Sequence, residues 1–143
     1  MHVKFLAAFV LAVVPVVACA AWQIVASEQG KHVEIDRASI VIEPGGEAMA
    51  KGRIVLDKPI VDPKTSASYR IIEVVNRYDC TERTYATVKR SYFKEEGEML
   101  RQEEVKNPFD MPVRSGTPDD KLLREVCRPK SVSDAAPSAV KTA

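Results

Sequence analysis

The residue types able to do chemistry are few in this chain: three cysteines, two histidines and the acidic pairs Glu95-Glu96, Glu103-Glu104 and Asp119-Asp120. His2 sits in the N-terminal leader, which leaves His32 beside Lys31 in an extended stretch. No serine or cysteine occupies the sharp strand-to-helix turn that exposes a nucleophile. A lone strand histidine of this kind reads as structural or solvated. The acidic pairs could be taken for general acid–base sets, yet each has a plainer account. Glu95-Glu96 reads as a solvated turn, Glu103-Glu104 as a solvated strand end, and Asp119-Asp120 as the start of a helix. Gly45-Gly46 lacks the glycine spacing and the lysine of a phosphate loop. The cysteines and His32 lack the spacing of metal ligands. The expectation is a non-enzymatic protein with no catalytic residues, no cofactor and no metal. One cluster could bind a partner: Lys89, Arg90, Lys94 and Arg101, interleaved with Tyr85, Tyr92 and Phe93. The simpler reading is a solvated sheet face whose lysines guard an edge.

The cysteines take their meaning from the first twenty residues. Lys4 is followed by an apolar run from Phe5 to Val17 and then by Ala18-Cys19-Ala20. A positive start, a short apolar core and small residues at the end make a secretory signal peptide, removed before Ala21. The run is short for a membrane span. Val16-Val17-Ala18-Cys19 also loosely resembles a lipobox, so lipidation of Cys19 is the rival processing. Ordinary cleavage is favoured because strand-like Trp22-Gln23-Ile24-Val25 begins with no flexible tether before it. Either way two cysteines remain. In an oxidising compartment, Cys80 and Cys127 are most economically one disulfide, with two separate buried thiols as the alternative. The chain carries 21 basic and 20 acidic residues, well mixed along the sequence. Losing Lys4 with the leader balances the mature charge, which argues against a nucleic-acid or membrane-surface binder.

The elements that must position these residues are mostly strands. The patterning predicts six: 22–27, 32–42 with a polar interruption at Asp36-Arg37-Ala38-Ser39, 48–56, 69–80, 84–93 and 99–105. Gly30, Pro44-Gly45-Gly46 and Gly97 mark turns. Residues 57–68, with Pro59 and Pro63, read as a loop or edge crossing, and 106–116 as irregular. Short turns between successive strands imply an antiparallel meander. One helix follows: Thr117 as N-cap, Pro118 in the first position, Asp119 and Asp120 at the positive end of the dipole. Leu122, Leu123, Val126 and Cys127 share a face, while Lys121, Arg124 and Glu125 point away. Arg128-Pro129 ends the helix. The fold class is therefore α+β: a six-stranded antiparallel sheet with one short C-terminal helix pinned by a disulfide. The expected organisation is a signal peptide over 1–20, one domain over 21–129 and a disordered tail over 130–143.

The ordered series of Trp22, Glu34-Ile35-Asp36 with Ser39-Ile40, Tyr78-Asp79-Cys80 with Arg83, Tyr92 before Gly97, Ser115-Gly116-Thr117 and Val126-Cys127 resembles the surface-adhesin protein E family of Gram-negative bacteria. The resemblance spans residues 22–128. Ser115-Gly116 departs from the Gly-Ser pair common ahead of the family's helix. The resemblance implies an antiparallel sheet with one helix, a disulfide between the two cysteines, and binding of host matrix or plasma proteins such as vitronectin, laminin and plasminogen. It carries over no ligand-binding residue.

The leading functional expectation is an exported, non-enzymatic binding protein in the periplasm or at the outer-membrane surface, adhesin-like, with a host protein as partner. The alternative is a periplasmic envelope accessory protein, an assembly factor or inhibitor of a secreted partner. The mature chain is expected to have no membrane span. A homodimer is among the arrangements left open.

Overall fold

A computed structural model describes residues 21–128; the expected signal peptide, Cys19 as the alternative lipidation position, and the expected tail lie outside the described residues. The chain forms strands β1 (Trp22–Glu28), β2 (Lys31–Ile42), β3 (Glu47–Val61), β4 (Ser68–Asp79), β5 (Thr84–Phe93), β6 (Met99–Glu104) and β7 (Met111–Pro112), then helix α1 (Pro118–Cys127). The first six pair in sequence order, each antiparallel to the next. That is the predicted meander. Three of its five turns fall at glycines, where Gly30, Gly45, Gly46 and Gly97 adopt positive φ, and in the other two Ser66 and Arg83 do so.

Two departures have clear physical reasons. β3 does not stop near residue 56 but continues to Val61. The pairing with β4 breaks between Val55 and Ile60, and Pro59 lies inside that break. A proline has no N–H to offer a ladder, so a bulge is where a strand tolerates one. β7, placed in the stretch expected to be irregular, pairs Met111 and Pro112 with Tyr85 and Thr84 on the edge of β5 that β6 occupies further along. β6 and β7 thus share one edge of β5, interrupted by residues 105–110.

The polar interruption in the second strand is a bulge as well, since pairing with β3 shifts between Asp36 and Val41. Its polar residues build it. Asp36 Oδ1 accepts from Ala38 N–H at 3.1 Å, and Ser39 Oγ donates to the Asp36 carbonyl at 2.6 Å while accepting from Lys51 N–H at 2.8 Å. Register shifts occur between every adjacent pair of the first six strands. Each adds local twist.

The core lies between one face of β1–β4 and the helix. Val33, Ile35, Ala48, Ala50 and Tyr78 are buried beneath Leu122, Leu123 and Val126. The strand residues facing the helix on β3 are small, Ala48, Ala50 and Gly52, so helix and sheet approach closely. A Cβ at Gly52 would lie 3.9 Å from Leu122 Cδ1, ordinary contact distance. The helix starts as predicted: Thr117 Oγ1 accepts from Asp120 N–H at 3.3 Å, with Pro118 next. Lys121 and Arg124 face solvent. Glu125 does not, because it pairs with Arg37 of β2 and with Arg128.

Cys80, just past β4, is bonded to Cys127 in the last turn of the helix, with 5.7 Å between their Cα atoms. Ten residues make a helix that is marginal alone. Replacing both cysteines by serine should cost about 2–5 kcal/mol. Urea unfolding of the oxidised domain and of the double variant measures this, and a difference near zero contradicts the stapling role.

Candidate functional site

The helix packs mainly on β1, β2 and β3, with Tyr78 of β4 buried in the same cluster, and among the described residues it leaves the rest of the β4–β6 half of that face uncovered. Between its N-terminal turn and that open half lies a cleft of about 480 Å³. Its apolar lining comes from Val33, Gly52, Ile54 and Val74, and its polar lining from Asn76, Thr87 and Asp119. The apolar lining follows from strand alternation: Gly52 and Ile54 pair across to Val74 and Ile72, and all four face the helix side.

The polar groups are held in place from within. Asn76 is buried; its Nδ2 donates to Tyr78 Oη at 3.1 Å and its Oδ1 accepts from Thr87 Oγ1 at 2.8 Å. Burial pushes the Tyr78 hydroxyl up to about 12, so it stays protonated. Tyr85 Oη donates to Asp119 Oδ2 at 3.3 Å at the mouth of the cleft. Burial, then the nearby Asp119 carboxylate, raises Tyr85 to about 12.

The cleft wall depends on Asp120, only 2% exposed. Its carboxylate accepts from Gly116 N–H at 2.9 Å and from Arg124 at 3.2 Å, and pairs with Arg83 in the β4–β5 turn. Those partners, the Gly116 N–H foremost, hold it at about 2. Arg83 itself sits at φ 56°, and its carbonyl accepts from Val113 N–H at 3.0 Å. One turn therefore supplies the ion pair to the helix start and the anchor for the segment before it. The disulfide holds the other end. Gly46, at φ 90°, adds a third tie, because its carbonyl accepts from Cys80 N–H at 3.2 Å.

The other singled-out residues do not assemble into a catalytic set. His32 Nε2 lies 3.0 Å from Glu34 Oε1, and Glu34 is also paired with buried Arg53, over which Trp22 stacks at 4.3 Å. The acidic pairs are spent separately: Glu95 on Arg70, Glu96 on Arg53, and Glu103 on Lys64 and Arg101. The basic cluster disperses. Lys89 and Arg90 point to opposite faces of β5, Lys94 pairs with Glu98, and Arg101 is turned inward. Among the described residues, no group of three His, Cys, Asp or Glu side chains could hold a metal ion.

Arg101 joins the most buried ion pair, which sequence reasoning missed. It forks onto fully buried Asp62 at 2.7 and 3.1 Å and stacks on Tyr92 at 3.7 Å. Asp62 also accepts from Thr65 Oγ1 at 2.9 Å and Lys64 N–H at 3.3 Å, closing the β3–β4 turn. The Arg101 guanidinium is the main reason its carboxyl is held at about 2. Pro59 and Pro63 marked 57–68 as a loop or edge crossing; nothing local pointed to a partner 39 residues away.

These features define a class: a disulfide-stapled, half-covered antiparallel sheet with a cleft beside its C-terminal helix. A family model described as surface-adhesin protein E matches residues 22–128, and the chain belongs to that family. Membership makes it an adhesin-like surface protein. Solved structures agree on the fold. Haemophilus influenzae protein E is 14% identical over 79% of this chain and 88% of its own, with a TM-score of 0.58. A second crystal form of that protein gives 15% identity, 77% and 96% coverage, and a TM-score of 0.55. Protein E from non-typeable H. influenzae gives 14%, 79% of each chain, and 0.57. No curated protein sequence matches the chain. Among the described residues no helix is long and apolar enough to cross a membrane.

Asp62 and Asp120 are both held below the usual carboxylate range in the native state. A depressed pKa stabilises the fold above the unfolded value of about 3.9, and that contribution fades as pH falls toward the native one. Stability should therefore drop between about pH 4 and pH 2. Asp62→Asn should flatten that limb while lowering stability at pH 7. Thermal unfolding across pH tests both, and an unchanged acid limb in the variant contradicts the role given to Asp62.

Proposed function

We propose that the chain is exported by its N-terminal leader, cut before Ala21, and acts at the cell surface as a non-enzymatic adhesin for a host extracellular-matrix or plasma protein. The supporting observation is the half-covered sheet face. Its cleft is pre-formed by the disulfide and the Asp120 pairs, apolar at its base and polar at its mouth. Sites of that character suit an inserted side chain or extended segment of a protein partner.

The test uses intact cells carrying the full chain. Protease added outside should remove the domain, and the cells should adhere to immobilised matrix or plasma protein. Val74→Arg, which fills the cleft, should weaken adhesion about tenfold or more, the loss of a buried contact worth about 1.4 kcal/mol. His32→Ala should leave adhesion unchanged. Protection from protease on intact cells would favour the periplasmic accessory role instead, and full adhesion by a folded Val74→Arg variant would remove the cleft from the account.

A further inference from the structure

Among the described residues no element packs across the sheet face opposite the helix, and its side chains fall in register rows. One row runs Glu34, Arg53, Glu73, Ser91, Gln102 across β2 to β6; the next runs Asp36, Lys51, Val75, Lys89, Glu104. The first row shows how this protein uses charge structurally. Glu34 and Arg53 are 8% and 9% exposed and paired with each other, and Glu96 from the β5–β6 turn reaches Arg53 at 3.4 Å.

The adjoining positions are different. Lys51, Lys89 and Glu73 make no side-chain hydrogen bond or ion pair among the described residues. They surround a depression of about 160 Å³ over Val75, with Ser91 and Gln102 beside Glu73, and Phe93 and Met99 at its far side. Burial lifts the Glu73 carboxyl above its usual range, only partly offset by Lys51 and Arg53. A half-buried carboxylate without a donor is costly. Such a group in a pocket marks a place where a ligand supplies what the protein withholds.

We propose that this depression binds a sugar residue carrying a carboxylate. Lys51 and Lys89, one strand apart on either side of Val75, take the sugar carboxylate; sugar hydroxyls donate to Glu73 and meet Gln102 and Ser91; the apolar face of the ring rests on Phe93. The combination separates this ligand from an acidic peptide. An acidic peptide would satisfy the lysines and offer Glu73 only a backbone N–H, whereas a sugar ring brings several hydroxyls, each able both to donate to Glu73 and to accept from Gln102. The depression also has room for one residue-sized group and no more. The site lies on the face away from the helix cleft and does not rest on the adhesin reading.

The experiment is an NMR titration of the mature chain with methyl glucuronide, methyl glucoside and an acidic tetrapeptide. The proposal predicts shifts concentrated at the amides of Glu73, Ser91 and Gln102, and affinity for the uronate at least about tenfold above the neutral glucoside, as expected for two charge-assisted contacts. The Lys51→Gln/Lys89→Gln variant, altered only at solvent-facing side chains, should fold normally and lose that preference. N-acetylmuramic acid and a glucuronate-containing heparan disaccharide, run as parallel arms, tell a bacterial-wall source from a host one by which binds tighter. Equal affinity for uronate and glucoside, retained preference in the double variant, shifts outside this face, or tighter binding of the tetrapeptide would each overturn the proposal.

Discussion

A ten-residue helix resting on three buried apolar side chains is held in this protein by fixing both of its ends. Cys127 is bonded to Cys80 at one end, and buried Asp120 is clamped by Gly116, Arg83 and Arg124 at the other. Both anchors issue from the same stretch of sheet, the end of β4 and the turn that follows. The constraint is geometric: with its two ends fixed to one turn, the helix cannot slide or pivot without breaking a covalent bond or stranding a buried charge. Breaking one partner of such a pair is what makes it restrictive.

The half-covered face follows from that placement. Fixed over β1–β3, the helix buries Val33, Ile35, Ala48 and Ala50 and leaves the continuation of the same face bare from Val74 outward. The cleft is thus a consequence of where the helix is pinned, and its polar lining is ordered by the buried Asn76–Tyr78–Thr87 network. The opposite face is organised by charge. Glu34, Arg53 and the stacked Trp22 close one part of it, while on the helix side Asp62 with Arg101, stacked on Tyr92, closes the far end of the sheet. An adhesin-like protein gains from such a build, since binding to a pre-formed surface loses less ordering entropy than binding to a mobile one.

Local chemistry was legible in the sequence, and long-range pairing was not. Thr117-Pro118-Asp119-Asp120 announces a helix start because each residue acts within one turn, and the glycine turns between strands are equally local. The cysteine pairing was readable because only two cysteines lie outside the expected leader. β3 ran past its expected end because β4 supplies pairing partners for Ile60 and Val61, and a bulge accommodates Pro59. β7 exists only because β6 stops short and leaves the start of β5 unpaired. Glu125 looks outward by helical phase, yet Arg37 on β2 draws it in. Arg101 looks like part of a basic patch until Asp62 is placed beside it. Asp120 was read as dipole chemistry, which is true of its position but omits Arg83, 37 residues earlier.

The Cys80–Cys127 staple holds the helix, and with it the cleft, on a sheet that stands by its own ladder. Native-state hydrogen exchange on the Cys80→Ser/Cys127→Ser protein tests it most directly. Amide protection should fall first in residues 122–127 while residues 71–78 in the central strand keep theirs. Equal loss in both segments would mean that helix and sheet open as one unit, and would contradict the stapling role.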